Sequence, residues 1–385
     1  MEPSVWESEE ACMELKEYLQ DLEYLVNTDS CSDDPEGLNT VAAFFADRFA
    51  GLGWNVHKYD LAPQSGTLLV CTNRDAEHYD VMLMGHLDTV FAKGTCARRP
   101  FRIEGNKALG PGVGDMKQGC LLMYYLMKDL PERIHEKLNI AVVYNPDEEI
   151  GSRYSKDYYL PYAQKADYAY LYEARAASGA YCTERKGSVQ LTVTFQGVAG
   201  HCGFVFTNGA RSAISEMARW IVALDGLQSR KRNTSVNVGV CSGGTKPNVV
   251  ADSARIVVDT RFDDPTEEDR ILETVAQLEA QAREHGIGVT IERRGKKPWV
   301  LTEKAAAYLE HVTAIADKAG MPAVFKARGG LSDANLIAQY GPVCIDGMGP
   351  GGGDGHSPEE YMLIDTVSET YDFSMLLLSD LAGLL

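Results

Sequence analysis

Asp80-Val81-Met82-Leu83-Met84-Gly85-His86-Leu87-Asp88 is a short apolar run that ends in two side chains able to do chemistry. Val81 to Met84 is apolar without alternation, as expected of a strand buried on both faces of a central sheet. Upstream, the three-and-four spacing of Leu15, Tyr18, Leu19, Leu22, Leu25 and Val26 predicts a helix. A second helix is predicted from Leu38 to Ala50, stopped by Gly51 and Gly53. Asn55 to Leu61 and Thr67 to Thr72 read as strands. Downstream, Gly119 to Leu130 reads as a helix, and Leu138 to Tyr144 and Tyr168 to Tyr172 as buried strands. Strands alternating with helices imply an α/β sheet covered on both sides.

The rhythm changes near Cys182. Val189, Leu191, Val193 and Phe195 alternate, which marks a strand with one wet face. A helix follows through Ile214, Met217, Ala218, Ile221 and Leu224, then strands at Thr234 to Cys241 and Ala254 to Phe262. A helix from Glu267 to His285 and a strand from Gly288 to Arg293 complete a β-α-β-β-α-β order. That order is a ferredoxin-like, split βαβ unit, expected as a small domain over 183–295 inserted into a larger one over 1–182 and 296–385. After Lys297-Pro298 the α/β rhythm resumes. Glu303 to Ala319 reads as a helix, Ala323 to Lys326 as a strand, and Ser332 as the N-cap of another helix. Pro342 to Asp346 reads as a strand, Gly349 to Gly355 as a loop, and the chain closes with an amphipathic helix through Val367, Tyr371, Leu378 and Leu381.

With 385 residues, 45% hydrophobic and 24% charged, the chain has the balance of a globular protein of two domains. A formal net charge of -18 argues against nucleic acid, whose phosphates require a basic footprint. Nine scattered cysteines with no C-x-x-C suit reduced thiols better than a disulfide framework. The start, Met1-Glu2-Pro3 followed by Glu7, Glu9 and Glu10, lacks the basic and apolar segments of a secretory signal. No apolar stretch reaches membrane-spanning length. The expected compartment is the cytoplasm.

Several polar groups stand where buried strands end. His86 and Asp88 share one side of the chain, so Asp88 could orient the imidazole. A histidine at a strand end also has an ordinary structural use. Asp115, in the glycine-rich Gly110 to Lys117 segment, could equally be a turn or capping aspartate. Asp147-Glu148-Glu149 could be a solvated turn, or a pair in which one carboxylate binds metal while its neighbour acts as a base. Glu173 closes the run Ala169 to Tyr172, and His356 sits in Gly353-Asp354-Gly355-His356-Ser357-Pro358-Glu359. Each signal is weak alone. Together, nitrogen and oxygen donors without thiolate suit a catalytic zinc-type site with open positions.

These blocks resemble the di-zinc metallopeptidase family of glutamate carboxypeptidase, aminoacylase, acetylornithine deacetylase and succinyl-diaminopimelate desuccinylase. The matches are Gly85 to Val90, Gly110 to Lys117, Asp147 to Ser152, Tyr172-Glu173 and Gly355-His356-Ser357, in the family's order. The resemblance implies a mixed-sheet catalytic domain with the inserted unit as its lid and dimerisation domain. It implies that Asp115 bridges two metals, with His86 and Glu173 at one and Glu149 and His356 at the other. It gives Asp88 a supporting role beside His86, makes Glu148 the general base and acid, and implies a cis peptide at Asp115-Met116. Zinc is the expected metal, with cobalt or manganese as alternatives. Two such cations, about 3.5–4 Å apart, share and acidify a water.

His201, in Gly197 to Gly203, resembles the family's lid histidine, which often reaches the other subunit; a loop histidine without a role is the bland alternative. Asn248 and Arg261 resemble lid residues that contact the substrate and its carboxylate, and Gly330 could offer a backbone N–H. Arg261 could instead form a structural ion pair. Gln118 and Gly355 stand where many relatives have glycine and alanine, and neither replaces a ligand. Glutamate at position 173 and the Gly-Pro-Gly-Val-x-Asp-Met-Lys block favour the glutamate carboxypeptidase branch. The expected activity is release of a C-terminal amino acid, glutamate among the candidates, from small peptides or N-acyl amino acids, by a homodimer. The alternatives are an acetyl or succinyl deacylase and, remotely, a catalytically silent binding protein.

Overall fold

The computed structural model describes residues 13–385; the acidic N-terminal residues and Cys12 lie outside the described residues. The chain divides into two compact units: one made of residues up to Thr183 with Leu301–Ala327 and Ser332–Leu385, the other of Glu184–Val300 with Arg328–Leu331.

The first unit is built on a six-stranded mixed sheet. Tyr79–His86 runs parallel to Ile140–Asn145 on one side and to Ala166–Leu171 on the other. Val343–Ile345 adds a further parallel strand beside Ala166–Leu171. Thr67–Thr72 pairs antiparallel with Ile140–Asn145, and Asn55–Asp60 antiparallel with Thr67–Thr72 at the edge. Burial explains the unalternated apolar run, because Val81 to Met84 and Ile140 to Tyr144 are buried along their whole length. Helices Leu15–Val26, Pro35–Gly51, Gln118–Lys128 and Thr366–Leu381 supply the apolar faces that join this core. The ends of the parallel strands, at His86, Asn145 and Leu171, point one set of loops the same way. Open α/β sheets place ligands at that edge.

A second, five-stranded sheet was not legible in the sequence. Gly349–Gly353, expected as a loop, is a strand. It pairs parallel with Ala174–Ala176 and antiparallel with Tyr361–Leu363, and the latter pairs with Lys107–Leu109. Its glycines allow close approach: a Cβ on Gly349 would stand 2.5 Å from the Tyr172 carbonyl oxygen. The helix expected to start near Ser332 is a short one, Ala334–Ile337, with the Ser332 hydroxyl accepting the Ala334 N–H.

The second unit is a four-stranded antiparallel sheet in the order Ser235–Gly243, Ser253–Arg261, Ser188–Gln196, Gly288–Lys296. Helices Ala213–Asp225 and Thr266–Glu284 cover one face. This is the ferredoxin-like arrangement. Val189, Leu191, Val193 and Phe195 are fully buried in it with Trp220, Ile256, Val258 and Ile271. A buried charge anchors the second helix. The Glu267 carboxylate takes hydrogen bonds from Arg270, Arg232 and the Thr234 hydroxyl. Those bonds, Arg270 first, hold its pKa down at about 2.

In the first unit the helix Gln118–Lys128 sits against the strand exit at Tyr172 with no space to spare. A Cβ on Gly119 would fall 1.8 Å from the Tyr172 carbonyl oxygen, which is backbone and cannot swing away. Gly119→Ala is therefore expected to cost roughly 1–3 kcal/mol or more through overpacking. Thermal denaturation of the purified variant checks this, and an unchanged midpoint would contradict it.

Candidate metal centre

His86 ends the central strand and is 2% exposed. Its Nδ1–H donates to the backbone oxygen of Asp88 at 2.9 Å, which leaves Nε2 directed at the acids. Nε2 lies 2.9 Å from Asp115 Oδ1 and 3.7 Å from Glu173 Oε1. On the other side, His356 Nε2 lies 3.2 Å from Asp115 Oδ2 and 3.2 Å from Glu149 Oε2. Asp115 thus offers one carboxylate oxygen to each imidazole. Ligand atoms of His86, Asp115 and Glu149 all lie within 4.8 Å of one another. The Asp115-Met116 peptide is cis.

The charges are crowded. Burial pushes Glu149 up to about 7 despite its bond to His356, and burial raises Glu173 well above the usual carboxylate range. Burial also opposes the ionised form of Asp115, but His356 and His86 outweigh it and hold its pKa far down. His86 pays for burial too, yet Glu173, Asp115 and Asp88 keep its pKa well above that of free imidazole. Asp115 and Glu149 raise His356 to about 10. Three partly buried carboxylates in one cluster call for more positive charge than two imidazoles carry. Glu149 Oε1 is buried without a hydrogen-bond partner. An oxygen and nitrogen donor set with an orphaned buried carboxylate oxygen fits divalent cations.

Asp88 does more than the sequence reading assigned to it. Its backbone oxygen takes the His86 Nδ1–H, its fully buried carboxylate stands 3.3 Å from the same nitrogen, and that carboxylate serves further partners. It accepts the Ser32 hydroxyl at 2.7 Å and the backbone N–H groups of Glu148 and Glu149 at 3.0 and 3.1 Å. The short 3-10 turn Glu148–Ile150 is therefore hung from Asp88. Behind the turn, Asp147 accepts from Tyr154 N–H and the Ser155 hydroxyl. Asp333 accepts from Asn145, Ser152 and Tyr159.

Two residues that the sequence reading passed over complete the frame. The buried Lys117 ammonium donates to the carbonyls of Leu25 and Thr28 at the end of the first helix, where the helix dipole favours a cation. The buried Glu360 carboxylate accepts three backbone N–H groups from Gly112, Gly114 and Asp115. Burial raises its pKa to about 7 while those donors oppose the rise. An acid four residues after His356 was a signal, but nothing in the sequence separates Glu360 from Glu359.

The structure therefore brings together His86, Asp88, Asp115, Glu149, Glu173 and His356, with the backbone of Glu148 tied to the same frame. The remaining candidates lie in the second unit. His201 and Asn248 are neighbours there: Gly200–His201 pairs with Val249–Val250, and the Cys202 N–H donates to the Asn248 oxygen at 3.1 Å. His201 is exposed, with Nδ1 accepting the Gly203 N–H. Arg261 makes the structural ion pair that the sequence left open, its guanidinium lying 2.9 Å from Asp259. Gly330 offers its carbonyl to Arg185 at 3.0 Å.

Comparison with known proteins gives the family. Residues 82–380 match Peptidase family M20/M25/M40. The chain is 28% identical over 384 residues to carboxypeptidase G2 of Pseudomonas sp. (strain RS-16), covering 95% of this chain and 89% of that protein. It is 25% identical over 297 residues to succinyl-diaminopimelate desuccinylase of Gluconobacter oxydans (strain 621H), covering 70% and 74%. Among solved structures, a tripeptidase of Staphylococcus aureus superposes with a TM-score of 0.77 at 22% identity, covering 96% of this chain and 99% of that one. An M20 family metallo-carboxypeptidase of Sulfolobus solfataricus superposes at 0.74 and 16% identity, covering 96% and 100%. With that match running over most of its length, the chain belongs to Peptidase family M20/M25/M40.

Proposed function

We propose that this family hydrolase is a carboxypeptidase that releases a C-terminal amino acid, glutamate among the candidates, from small peptides or N-acyl amino acids. The observation that carries the reading is Asp115 placed between His86 and His356, with Glu173 and Glu149 on either side. The likeness to carboxypeptidase G2 along almost the whole chain supports the substrate class. His86, Asp115 and Glu173 would hold one divalent cation, and Asp115, Glu149 and His356 a second, with zinc as the proposed metal. Bound there, the cations supply Lewis acidity and a water acidic enough to lose a proton near neutral pH.

The chain's own groups then divide the work. Glu148 is the proposed base and acid: its carboxylate takes the proton of the attacking water and returns it to the leaving amide nitrogen. Asp88 holds the Glu148–Glu149 backbone and the His86 ring together, so base and ligands keep one spacing. His201 and Asn248 are proposed substrate contacts by their motifs, and the short ladder that joins them supports a shared role. Arg261 is proposed for the substrate carboxylate, where a guanidinium fork suits a planar anion. Its pairing with Asp259 means that substrate would compete for it. Gly330 is proposed to offer its backbone N–H to the same carboxylate. An acetyl or succinyl deacylase is the second reading, favoured by the desuccinylase relatives.

The second unit is also proposed as a dimerisation surface. Its edge strand Ser235–Gly243 is largely exposed, and Val222 on the helix Ala213–Asp225 is 74% exposed. The cytoplasm is the proposed compartment, a reading supported by eight cysteines among the described residues that are not joined in disulfides.

Three outcomes are expected. Assayed on acyl-glutamates, dipeptides and acetyl or succinyl amino acids, the zinc-loaded protein should turn over the first two groups fastest. Preference for acetyl or succinyl substrates with no peptide cleavage would favour the deacylase. Glu148→Ala should keep its metal, measured by elemental analysis, and lose about 10²–10⁴-fold in kcat, the usual worth of a general base; near-wild-type turnover would remove the assignment. Sedimentation at micromolar concentration should give a dimer, and a monomer would contradict the proposed interface.

A further inference from the structure

Glu360 stands outside the set of proposed ligands, yet it makes the densest set of contacts to the loop that carries Asp115. Its Oε2 accepts the Gly112 N–H at 3.0 Å, and its Oε1 accepts the N–H groups of Gly114 and Asp115, each at 2.7 Å. The residue is 1% exposed and lies 245 positions along the chain from Asp115. Successive backbone N–H groups turned toward one point form an anion nest, and here a buried carboxylate fills it. The glycines make the approach possible. Gly112 has a φ of +72°, and a Cβ on Gly114 would stand 3.1 Å from the Tyr361 carbonyl oxygen and 3.4 Å from Glu360 Oε1.

The same turn delivers His356. Asp354 and His356 both adopt left-handed φ values, 55° and 63°. The turn is closed by Ser357 N–H to the Asp354 oxygen and Glu360 N–H to the Ser357 oxygen. Four residues apart, His356 and Glu360 grip Asp115 from opposite ends: the imidazole is 3.2 Å from the side-chain oxygen and the carboxylate 2.7 Å from the backbone N–H. Such a clasp fixes where the Asp115 carboxylate points before any cation arrives.

We propose that Glu360 is a positioning residue, which locks the Gly112–Asp115 backbone to the His356 turn and so preorganises Asp115 between the two imidazoles. This rests on the reading of the cluster as a divalent-cation site. Groups that orient metal ligands through hydrogen bonds set affinity as well as shape. A glutamine at position 360 keeps the size but replaces one carboxylate oxygen by an NH₂ that faces a backbone N–H donor, so the clasp loses its charge and at least one of its three hydrogen bonds with little change in volume.

The test compares full-length wild type and Glu360→Gln after metal removal by a chelator. Each is titrated with Zn²⁺ against a chromophoric competitor, and with Co²⁺ for its ligand-field spectrum. The variant should bind about 10–100-fold more weakly, the usual effect of losing a partner of a metal ligand. Its cobalt spectrum should shift, and in the reloaded enzyme kcat should fall while KM changes little. Wild-type affinity and an unchanged spectrum in a folded variant would overturn the proposal while leaving the cation site standing. If wild type itself took up neither cation, both would fall. Should the variant not fold, amide hydrogen exchange on metal-free wild type decides the matter: Gly112, Gly114 and Asp115 must be protected, and exchange at unprotected rates would overturn the clasp.

Discussion

One carboxylate between two imidazoles organises the first unit. Asp115 faces His86 with one oxygen and His356 with the other, and two further glutamates, partly buried, crowd the same space. Burial penalises every one of these charges, so the cluster is tolerable only where opposite charges and hydrogen bonds meet it. Its acids exceed its imidazoles, and Glu149 keeps one oxygen with no protein partner. That imbalance is what makes the cleft a place for divalent cations rather than a self-satisfied ion-pair network.

Holding such a cluster in shape falls to backbone ties. The segments that carry these acids and imidazoles come from the end of the central strand, a glycine-rich turn, a 3-10 turn, a strand exit and a turn near the C-terminus. None of these is rigid alone. Asp88 suspends the Glu148–Glu149 turn, Asp333 gathers Asn145, Ser152 and Tyr159 behind it, Lys117 pins its own turn to the first helix, and Glu360 clasps the Asp115 loop. Buried side chains with satisfied partners thus do for these loops what a hydrogen-bond ladder does for strands. The second unit relies chiefly on alternating strands and two helices that close an apolar core, with the buried Glu267 as a comparable anchor.

Much of this was legible before any coordinates. Period-two alternation from Val189 to Phe195 marked a strand with one buried face, and the unbroken run from Val81 to Met84 marked the middle of a sheet. His86, Asp115, Glu149, Glu173 and His356, picked out at strand and loop exits, lie close together. The five-stranded sheet escaped notice because its strands are three to five residues long and one is almost all glycine, leaving no side-chain pattern to read. The further ties of the Asp88 carboxylate were not legible for a related reason: its partners at Glu148 and Glu149 are backbone groups about sixty residues away, and a backbone N–H has no signature in the amino-acid string.

By itself, the sequence determined which side chains were available, where apolar runs would bury, and that the acids and histidines stand at the exits of buried strands. Those are local properties, set by residue type and spacing along the chain. The tertiary structure alone decided that Asp115 sits between His86 and His356, that Glu360 rather than Glu359 closes on its loop, and that Arg261 spends its guanidinium on Asp259. Each of these depends on distances across the fold of a few ångströms between residues separated along the chain or turned to one face, and such distances exist only once the sheets have paired and the core has closed.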